Sequence, residues 1–209
     1  MIYECYMKRF FDSILSALLI LMLSWLFILL AIIIKCTSKG PVFFKQKRVG
    51  KDKTYFNILK FRTMRIDTPK DVPTHLFTNP EQYITSIGRF LRKTSLDELP
   101  QLINILIGDM AIVGPRPALW NQKDLIAERD LYNANVVRPG LTGLAQVSGR
   151  DELPIPVKAR YDGEYVDSIS LMKDASLIVK TMVSVLKHDG VKEGGTVVIE
   201  EFSATKERE

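Results

Sequence analysis

Asp97 and Glu98 stand side by side in the run Ser95-Leu96-Asp97-Glu98-Leu99-Pro100-Gln101. Two adjacent carboxylates can divide labour, one acting as a nucleophile and the other binding a hard cation such as magnesium. The run also has a purely structural reading. Ser95-x-x-Glu98 fits a capping box, and acidic side chains favour the positive end of a helix. Pro100 complicates that box. As a fifth helical residue it would remove a backbone hydrogen bond, so the helix can instead begin at Pro100. On either reading two carboxylates, ionised at neutral pH, sit at a helix N-terminus.

Basic residues on stiff backbone could complete such a site. Gly114-Pro115-Arg116-Pro117 sets Arg116 between two prolines, each of which fixes its own φ and restrains the residue before it. A guanidinium held that way grips a phosphate bidentately at reduced entropic cost. A surface loop with an incidental arginine is the plain alternative. Arg138-Pro139-Gly140 and Ser148-Gly149-Arg150-Asp151 again place an arginine beside a turn. Lys60-Phe61-Arg62-Thr63-Met64-Arg65 alternates basic and apolar residues. On a strand, Lys60 and Arg62 would share one face, which could equally be a solvated basic surface. The sequence has no GxxxxGK[ST], no GxGxxG after a strand, and no serine or cysteine in a triad context. Phosphate chemistry would have to rest on carboxylates, a metal and basic side chains.

The elements that would carry these residues follow from pattern. Residues 42–48 and 54–64 are rich in aromatic and β-branched types, with Gly50-Lys51-Asp52 between them, and read as a β-hairpin. Residues 69–80 read as a polar loop. Ile84, Ile87, Phe90 and Leu91 mark one helical face. A second helix covers residues 96–107 with Leu99, Leu102, Ile103 and Leu106 inward, and Gly108-Asp109 ends it. Residues 114–117, 139–143 and 148–151 are turn-rich. Leu177, Ile178, Thr181, Met182, Val185 and Leu186 recur at helical spacing, facing either a core or a membrane surface. The tail at 200–209 reads as frayed.

Composition narrows the class. The chain has 209 residues, 46% hydrophobic and 25% charged, which excludes wholesale disorder. Charges spread evenly after residue 34 exclude a polytopic transporter. Two cysteines, Cys5 and Cys36, make no disulfide framework. With two histidines, His75 and His188, a zinc site lacks its usual ligands, so any metal should be a hard ion on carboxylates. The formal charge of +5 suits an anionic partner: nucleic acid, phospholipid or a phosphorylated substrate.

Residues 13–34 contain no charge, a run of 22 positions. As a helix this run reaches about 33 Å, against a bilayer core of about 30 Å. It is too long for a signal peptide and lacks a small-residue cleavage site after it. We read it as a retained membrane helix. Residues 35–54 carry Lys35, Lys39, Lys45, Lys47, Arg48, Lys51 and Lys53 against Asp52, which places that side in the cytoplasm. Lys8 and Arg9 make the other flank positive too, which suits a helix that enters and returns on one face. A plain single span is the alternative.

Six stretches together resemble the bacterial sugar transferase family, small monotopic phosphoglycosyl transferases acting on polyprenyl phosphate. They are Pro41-Val42-Phe43-Phe44-Lys45-Gln46, Lys60-Phe61-Arg62-Thr63-Met64, the Ser95-to-Gln101 run, Gly108-Asp109-Met110, Val113-Gly114-Pro115-Arg116-Pro117 and Arg138-Pro139-Gly140-Leu141-Thr142-Gly143. They follow Lys8-Arg9-Phe10-Phe11-Asp12 in order, and the resemblance runs to Gly190-Val191.

The resemblance implies an α+β, mainly helical fold: a re-entrant membrane helix at 1–39, a cytoplasmic catalytic domain at 40–199 with a small β-hairpin and surface amphipathic helices, and the tail. It implies transfer of a sugar 1-phosphate from a UDP-sugar to undecaprenyl phosphate, with release of UMP, at the bacterial cytoplasmic membrane. This would open exopolysaccharide or glycoconjugate assembly. Asp97 is then the nucleophile, held transiently as an acyl phosphate, and Glu98 a magnesium ligand. Lys60, Arg92 and Arg116 match phosphate-contacting positions, with Arg62, Arg138 and Arg150 also assigned to the pocket. Relatives commonly break the apolar helix with Ser-Pro, where this chain has Ser24-Trp25. The re-entrant form is still expected, since a serine can bend a helix by bonding a carbonyl one turn back. A different class of function, a membrane-anchored basic protein holding anionic lipid or nucleic acid, is disfavoured because adjacent carboxylates would repel such ligands. No nucleic-acid partner is expected.

Overall fold

The computed structural model describes residues 3, 7–68, 80–149 and 153–187. In chain order the elements begin with α1 (Lys8–Met22), α2 (Ser24–Thr37), β1 (Phe43–Val49) and β2 (Tyr55–Phe61). Then come α3 (Ser86–Lys93), α4 (Gln101–Ile107), β3 (Ala111–Val113) and α5 (Lys123–Asp130). The chain continues through β4 (Gly140–Thr142), α6 (Leu144–Ser148), α7 (Ile155–Asp167) and α8 (Leu171–Lys187). The fold is α+β and mainly helical, as expected, with a small antiparallel hairpin. Arg150, most of the 69–80 loop and the 200–209 tail lie outside the described residues.

The uncharged run forms two helices. α1 and α2 are bent by 62° at their junction, and among the described residues no single helix is long and apolar enough to cross a membrane. Leu23 makes the break. Its φ of −94° and ψ of 6° fall in the sparsely allowed bridge region. Leu23 N–H still donates to Leu19 O and Phe27 N–H to Leu23 O, so the helical ladder survives on both sides without a proline. α1 is polar inside and apolar outside. Lys8, Asp12 and Ser16, spaced on one face, are buried, while Phe10, Phe11, Ile14, Leu15, Leu18 and Leu21 are exposed. Lys8 Nζ donates to Asp174 Oδ2 on α8 at 2.5 Å, and Tyr165 Oη on α7 donates to Asp174 Oδ1 at 2.7 Å.

The hairpin runs in register from Phe43↔Phe61 to Val49↔Tyr55. Ile58 and Phe61, three residues apart, point to opposite faces. Ile58 packs with Leu102 and Ile105 of α4, and Phe61 with Leu30, Ile34 and Leu91. The Phe61 end of the sheet is therefore held between α4 and the α2–α3 pair. α3 buries Leu91 as expected but leaves Phe90 exposed.

α4 begins after Pro100, preceded by a 3-10 turn, Leu96–Glu98. This shorter helix turns Leu102 and Ile105 inward and leaves Leu106 exposed, which corrects the expected inward set. The capping box does not form. Ser95 sits in the left-handed region with φ 57° and makes no side-chain cap. Gly108, with φ 103°, closes α4 in a conformation that glycine tolerates best.

β3 and β4 pair in parallel, Ala111 with Gly140 and Val113 with Thr142. Gly114 and Gly140 lie backbone to backbone there. A Cβ on Gly114 would stand 2.6 Å from Arg138 O. α8 turns Asp174, Leu177, Ile178 and Thr181 toward the body and leaves Met182 exposed, so the expected stripe is only partly core.

α5 and α7 are joined by a buried ion pair, in which Arg129 Nε and Nη2 both donate to Asp162 Oδ2 at 2.8 and 2.6 Å. Removing one partner strands a buried charge. Asp162→Ala is expected to cost about 3–5 kcal/mol, read as a fall in melting temperature of the full chain. Arg129→Met combined with Asp162→Leu is expected to recover most of that loss. A double variant as unstable as Asp162→Ala would show that the pair contributes more than its own neutralisation.

Candidate active site

Lys60, Asp97, Glu98 and Arg116 converge from three parts of the chain. Lys60 comes from the end of β2, paired with Phe44 across the hairpin. Asp97 and Glu98 come from the 3-10 turn. Leu96 and Leu99 on either side of them pack into the core, so the turn is pinned by its apolar ends. Arg116 comes from the Gly114-to-Pro117 loop, just past β3.

Lys60 Nζ donates to Glu98 Oε1 at 2.6 Å and lies 4.0 Å from Asp97 Oδ2. Arg116 Nη2 donates to the same Glu98 oxygen at 3.1 Å. Arg92, on α3, donates from Nε to Thr63 Oγ1 at 3.0 Å, and its charge also acts on Asp97.

The environment separates the two acids. Burial pushes Asp97 up to about 6. Lys60 opposes that rise, the Glu98 charge adds to it, and Arg92 and Arg116 restrain it. Burial also pulls Glu98 upward, but Lys60 and Arg116 overcome it and hold this carboxyl well below the usual range. With its pKa raised and still below neutral, Asp97 is ionised at pH 7. Asp97 is therefore a buried carboxylate, more basic than an exposed one and close to several cations. That combination can attack an electrophilic phosphorus whose oxygens are neutralised by those cations.

The metal question has a limited answer in these side chains. No group of three or more His, Cys, Asp or Glu side chains converges among the described residues. Magnesium is usually held by one or two carboxylates, with substrate phosphates and water completing its shell. The Asp97-Glu98 pair fits such a substrate-completed site and does not make a metal site on its own.

Of the residues expected in the pocket, the structure brings together Asp97, Glu98, Lys60, Arg116 and the charge of Arg92. Arg62 turns elsewhere. Its backbone N–H still donates to Val42 O at 2.9 Å across the hairpin, while Arg62 Nη2 donates to Ser38 O at 2.8 Å and Ser38 Oγ at 2.6 Å, tying the exit of α2 to the hairpin. The two side chains reach different partners, Lys60 the Asp97-Glu98 turn and Arg62 the exit of α2. Arg138 Nε donates to Gly108 O at 2.9 Å, closing the C-terminal end of α4. Arg150 lies outside the described residues.

Two supporting residues were missed from sequence. Arg48 Nη1 donates to Pro117 O at 3.0 Å and Nη2 to Gln46 Oε1 at 2.5 Å, which fastens the loop that carries Arg116 to β1. Asn104 takes the free edge of β2. Its Oδ1 accepts from Leu59 N–H and its Nδ2 donates to Asn57 O, both at 2.9 Å. A polar residue inside Leu102-Ile103-Asn104-Ile105-Leu106 was the available signal for Asn104, and alternation with Gln46 was the signal for Arg48.

Lys60→Met removes the nearest cation from Asp97. A carboxylate that loses a neighbouring positive charge is harder to ionise, so the Asp97 midpoint is expected to move above 6. Carboxyl infrared or carbon-13 NMR titration, with Asp97→Asn as the subtraction reference, reads this directly. A midpoint that falls or stays fixed would refute the electrostatic assignment.

The chain matches the family model described as bacterial sugar transferase over residues 3–188. It is 35% identical over 192 residues to exopolysaccharide production protein ExoY of Rhizobium meliloti, covering 85% of this chain and 84% of that protein. It is 36% identical over 200 residues to the undecaprenyl-phosphate galactose phosphotransferase of Salmonella typhimurium, covering 88% of this chain and 41% of that one. It is 39% identical over 186 residues to the UDP-glucose:undecaprenyl-phosphate glucose-1-phosphate transferase of Xanthomonas campestris pv. campestris, covering 86% of this chain and 38% of that one. With a family match across most of its length and relatives aligned over more than four-fifths of it, this chain belongs to the bacterial sugar transferase family.

Proposed function

We propose that this protein is a phosphoglycosyl transferase that moves a sugar 1-phosphate from a UDP-sugar to undecaprenyl phosphate and releases UMP, at an early membrane step of exopolysaccharide or glycoconjugate assembly. The observation that carries this reading is the buried Asp97 carboxylate set among Lys60, Arg92 and Arg116 and beside the ionised Glu98. Relatives named for the galactose and glucose versions of such a transfer support the choice of donor and acceptor class.

On this reading the reaction runs in two displacements. An Asp97 carboxylate oxygen attacks the phosphorus that bears the sugar. The Asp97 O–P bond forms, the P–O bond to the uridylyl phosphate breaks, and UMP leaves with that electron pair. A phosphate oxygen of undecaprenyl phosphate then attacks the same phosphorus and breaks the aspartyl bond, which restores the carboxylate. Both nucleophiles are anions, so the cycle needs no obligatory general base. Lys60 and Arg116 neutralise phosphate oxygens as they pass, and Arg92 holds the same field from α3. Glu98, with Asp97 beside it, is the residue that would hold magnesium, which supplies neutralisation of the diphosphate charge.

The same reading places α1 and α2 in the bilayer as a re-entrant pair, with residues 1–39 as the anchor and 40–199 as the catalytic domain facing the cytoplasm. Three observations support it: the uncharged run, the 62° bend, and an α1 whose apolar side faces outward. A contiguous apolar surface of that kind calls for a membrane or a partner, and the lysines after α2 favour the cytoplasmic face.

Asp97→Asn is expected to lower UMP release from UDP-sugar, with magnesium and undecaprenyl phosphate present, by at least about 1,000-fold. Near-normal turnover by this variant removes Asp97 as nucleophile. In single turnover without acceptor, the wild-type UMP burst is expected to weaken as pH falls through about 6, because protonation removes the attacking lone pair. Omitting the acceptor keeps its own phosphate titration out of the profile.

A further inference from the structure

An aromatic ladder leads from the bent helix pair onto the hairpin. The Phe27 ring on α2 lies 5.6 Å from Phe61, and Phe61 stacks on Phe43 at 5.5 Å. By alternation Phe43, Lys45 and Lys47 of β1 share this face with Phe61, Leu59, Asn57 and Tyr55 of β2. The opposite face, with Ile58, packs on α4. Between Phe61 and Val49, which shares this face and is buried against Ala118 and Leu125, the outer face is open. Lys45 and Lys47 are exposed, Tyr55 is 58% exposed and Trp120 is 39% exposed. Lys47 Nζ stands 4.0 Å from the centre of the Tyr55 ring and 5.6 Å from that of Trp120. None of these face residues is acidic.

Aromatic rings with a polar tip collect at the level of lipid headgroups, and lysines there meet lipid phosphates. We propose that the outer face of the β1–β2 hairpin is a second membrane contact, resting on the anionic headgroup layer of the bilayer that holds α1 and α2. Tyr55 and Trp120 lie at headgroup depth, and Lys45 and Lys47 meet phosphate oxygens. The inference rests on the membrane reading given above. Its consequence is orientation. A helix pair alone leaves the catalytic body free to tilt about one attachment. A second contact on the hairpin sets the height of Lys60, at the other end of β2, and so of the Asp97-Glu98 turn above the lipid.

The chain has two tryptophans, Trp25 and Trp120, which allows a direct test. Trp25→Phe leaves Trp120 as the reporter, and Trp120→Phe leaves Trp25. Each full-length variant is reconstituted in vesicles of phosphatidylcholine and phosphatidylglycerol containing either a headgroup-nitroxide lipid or a mid-chain brominated lipid. Trp120 emission is expected to lose most of its intensity to the headgroup quencher, and Trp25 to the brominated chains. Lys45→Glu with Lys47→Glu is expected to restore Trp120 emission and leave Trp25 quenching unchanged. A quenched Trp25 with an unquenched Trp120 overturns the second contact and leaves the membrane anchor standing. An unquenched Trp25 overturns the anchor and this inference with it. Trp120 quenching that the double lysine variant does not alter overturns the role given to the lysines.

Discussion

One carboxylate oxygen, Glu98 Oε1, accepts hydrogen bonds from two cations that are far apart in sequence. Lys60 arrives on the hairpin and Arg116 on the loop after β3. Neither element can shift without breaking a charge-assisted bond in a half-buried site, where such bonds are stronger than in water. The rest of the body serves that convergence. Asn104 fixes α4 against the edge of β2. Arg48 fastens the Arg116 loop to β1. The close approach of Gly114 and Gly140 lets the loop leave β3 beside β4 without a side chain between the two backbones.

Hydrogen bonds also link the Asp97-Glu98 turn to the helix pair. Arg9 of α1 donates to Ile105 O at 2.5 Å and to Leu106 O at 2.8 Å, and Arg138 donates to Gly108 O. These carbonyls lie at the C-terminal end of α4, which favours cations. The acidic turn precedes the other end of that short helix. α4 thus connects a charged flank of α1 to the acids, with Lys8 held separately by Asp174 of α8. On the proposed reading, this is how depth in the bilayer is transmitted to the height of the site.

The sequence disclosed whatever was repetitive or locally punctuated. The hairpin was legible because aromatic and β-branched residues flank Gly50-Lys51-Asp52. The ambiguity at Pro100 was legible too, and the later helix start prevailed because Ser95 adopts a left-handed conformation that abandons the capping box. The parallel β3–β4 pair was hidden, since three-residue strands show no periodicity. α5 and α7 were hidden because their buried positions include Arg129, Asp162, Ala159 and Gly163, which no hydrophobic pattern marks. Arg62 is taken by Ser38 at the exit of α2, a contact between segments 24 residues apart that strand alternation does not encode. What remained illegible depends on contacts between segments far apart in the chain.

Asp97 and Glu98 differ by one position and one methylene, yet their acidities move in opposite directions. Local sequence cannot produce that split. It arises because both cations close on Glu98, which leaves Asp97 buried with a 4.0 Å approach from Lys60 and a like charge beside it. Environments that push paired carboxyl groups apart assign them different tasks. The depressed acid stays anionic whatever arrives, which suits a fixed ligand for cations. The raised acid holds a higher basicity beside its cations, which suits the nucleophile of the proposed two-step transfer.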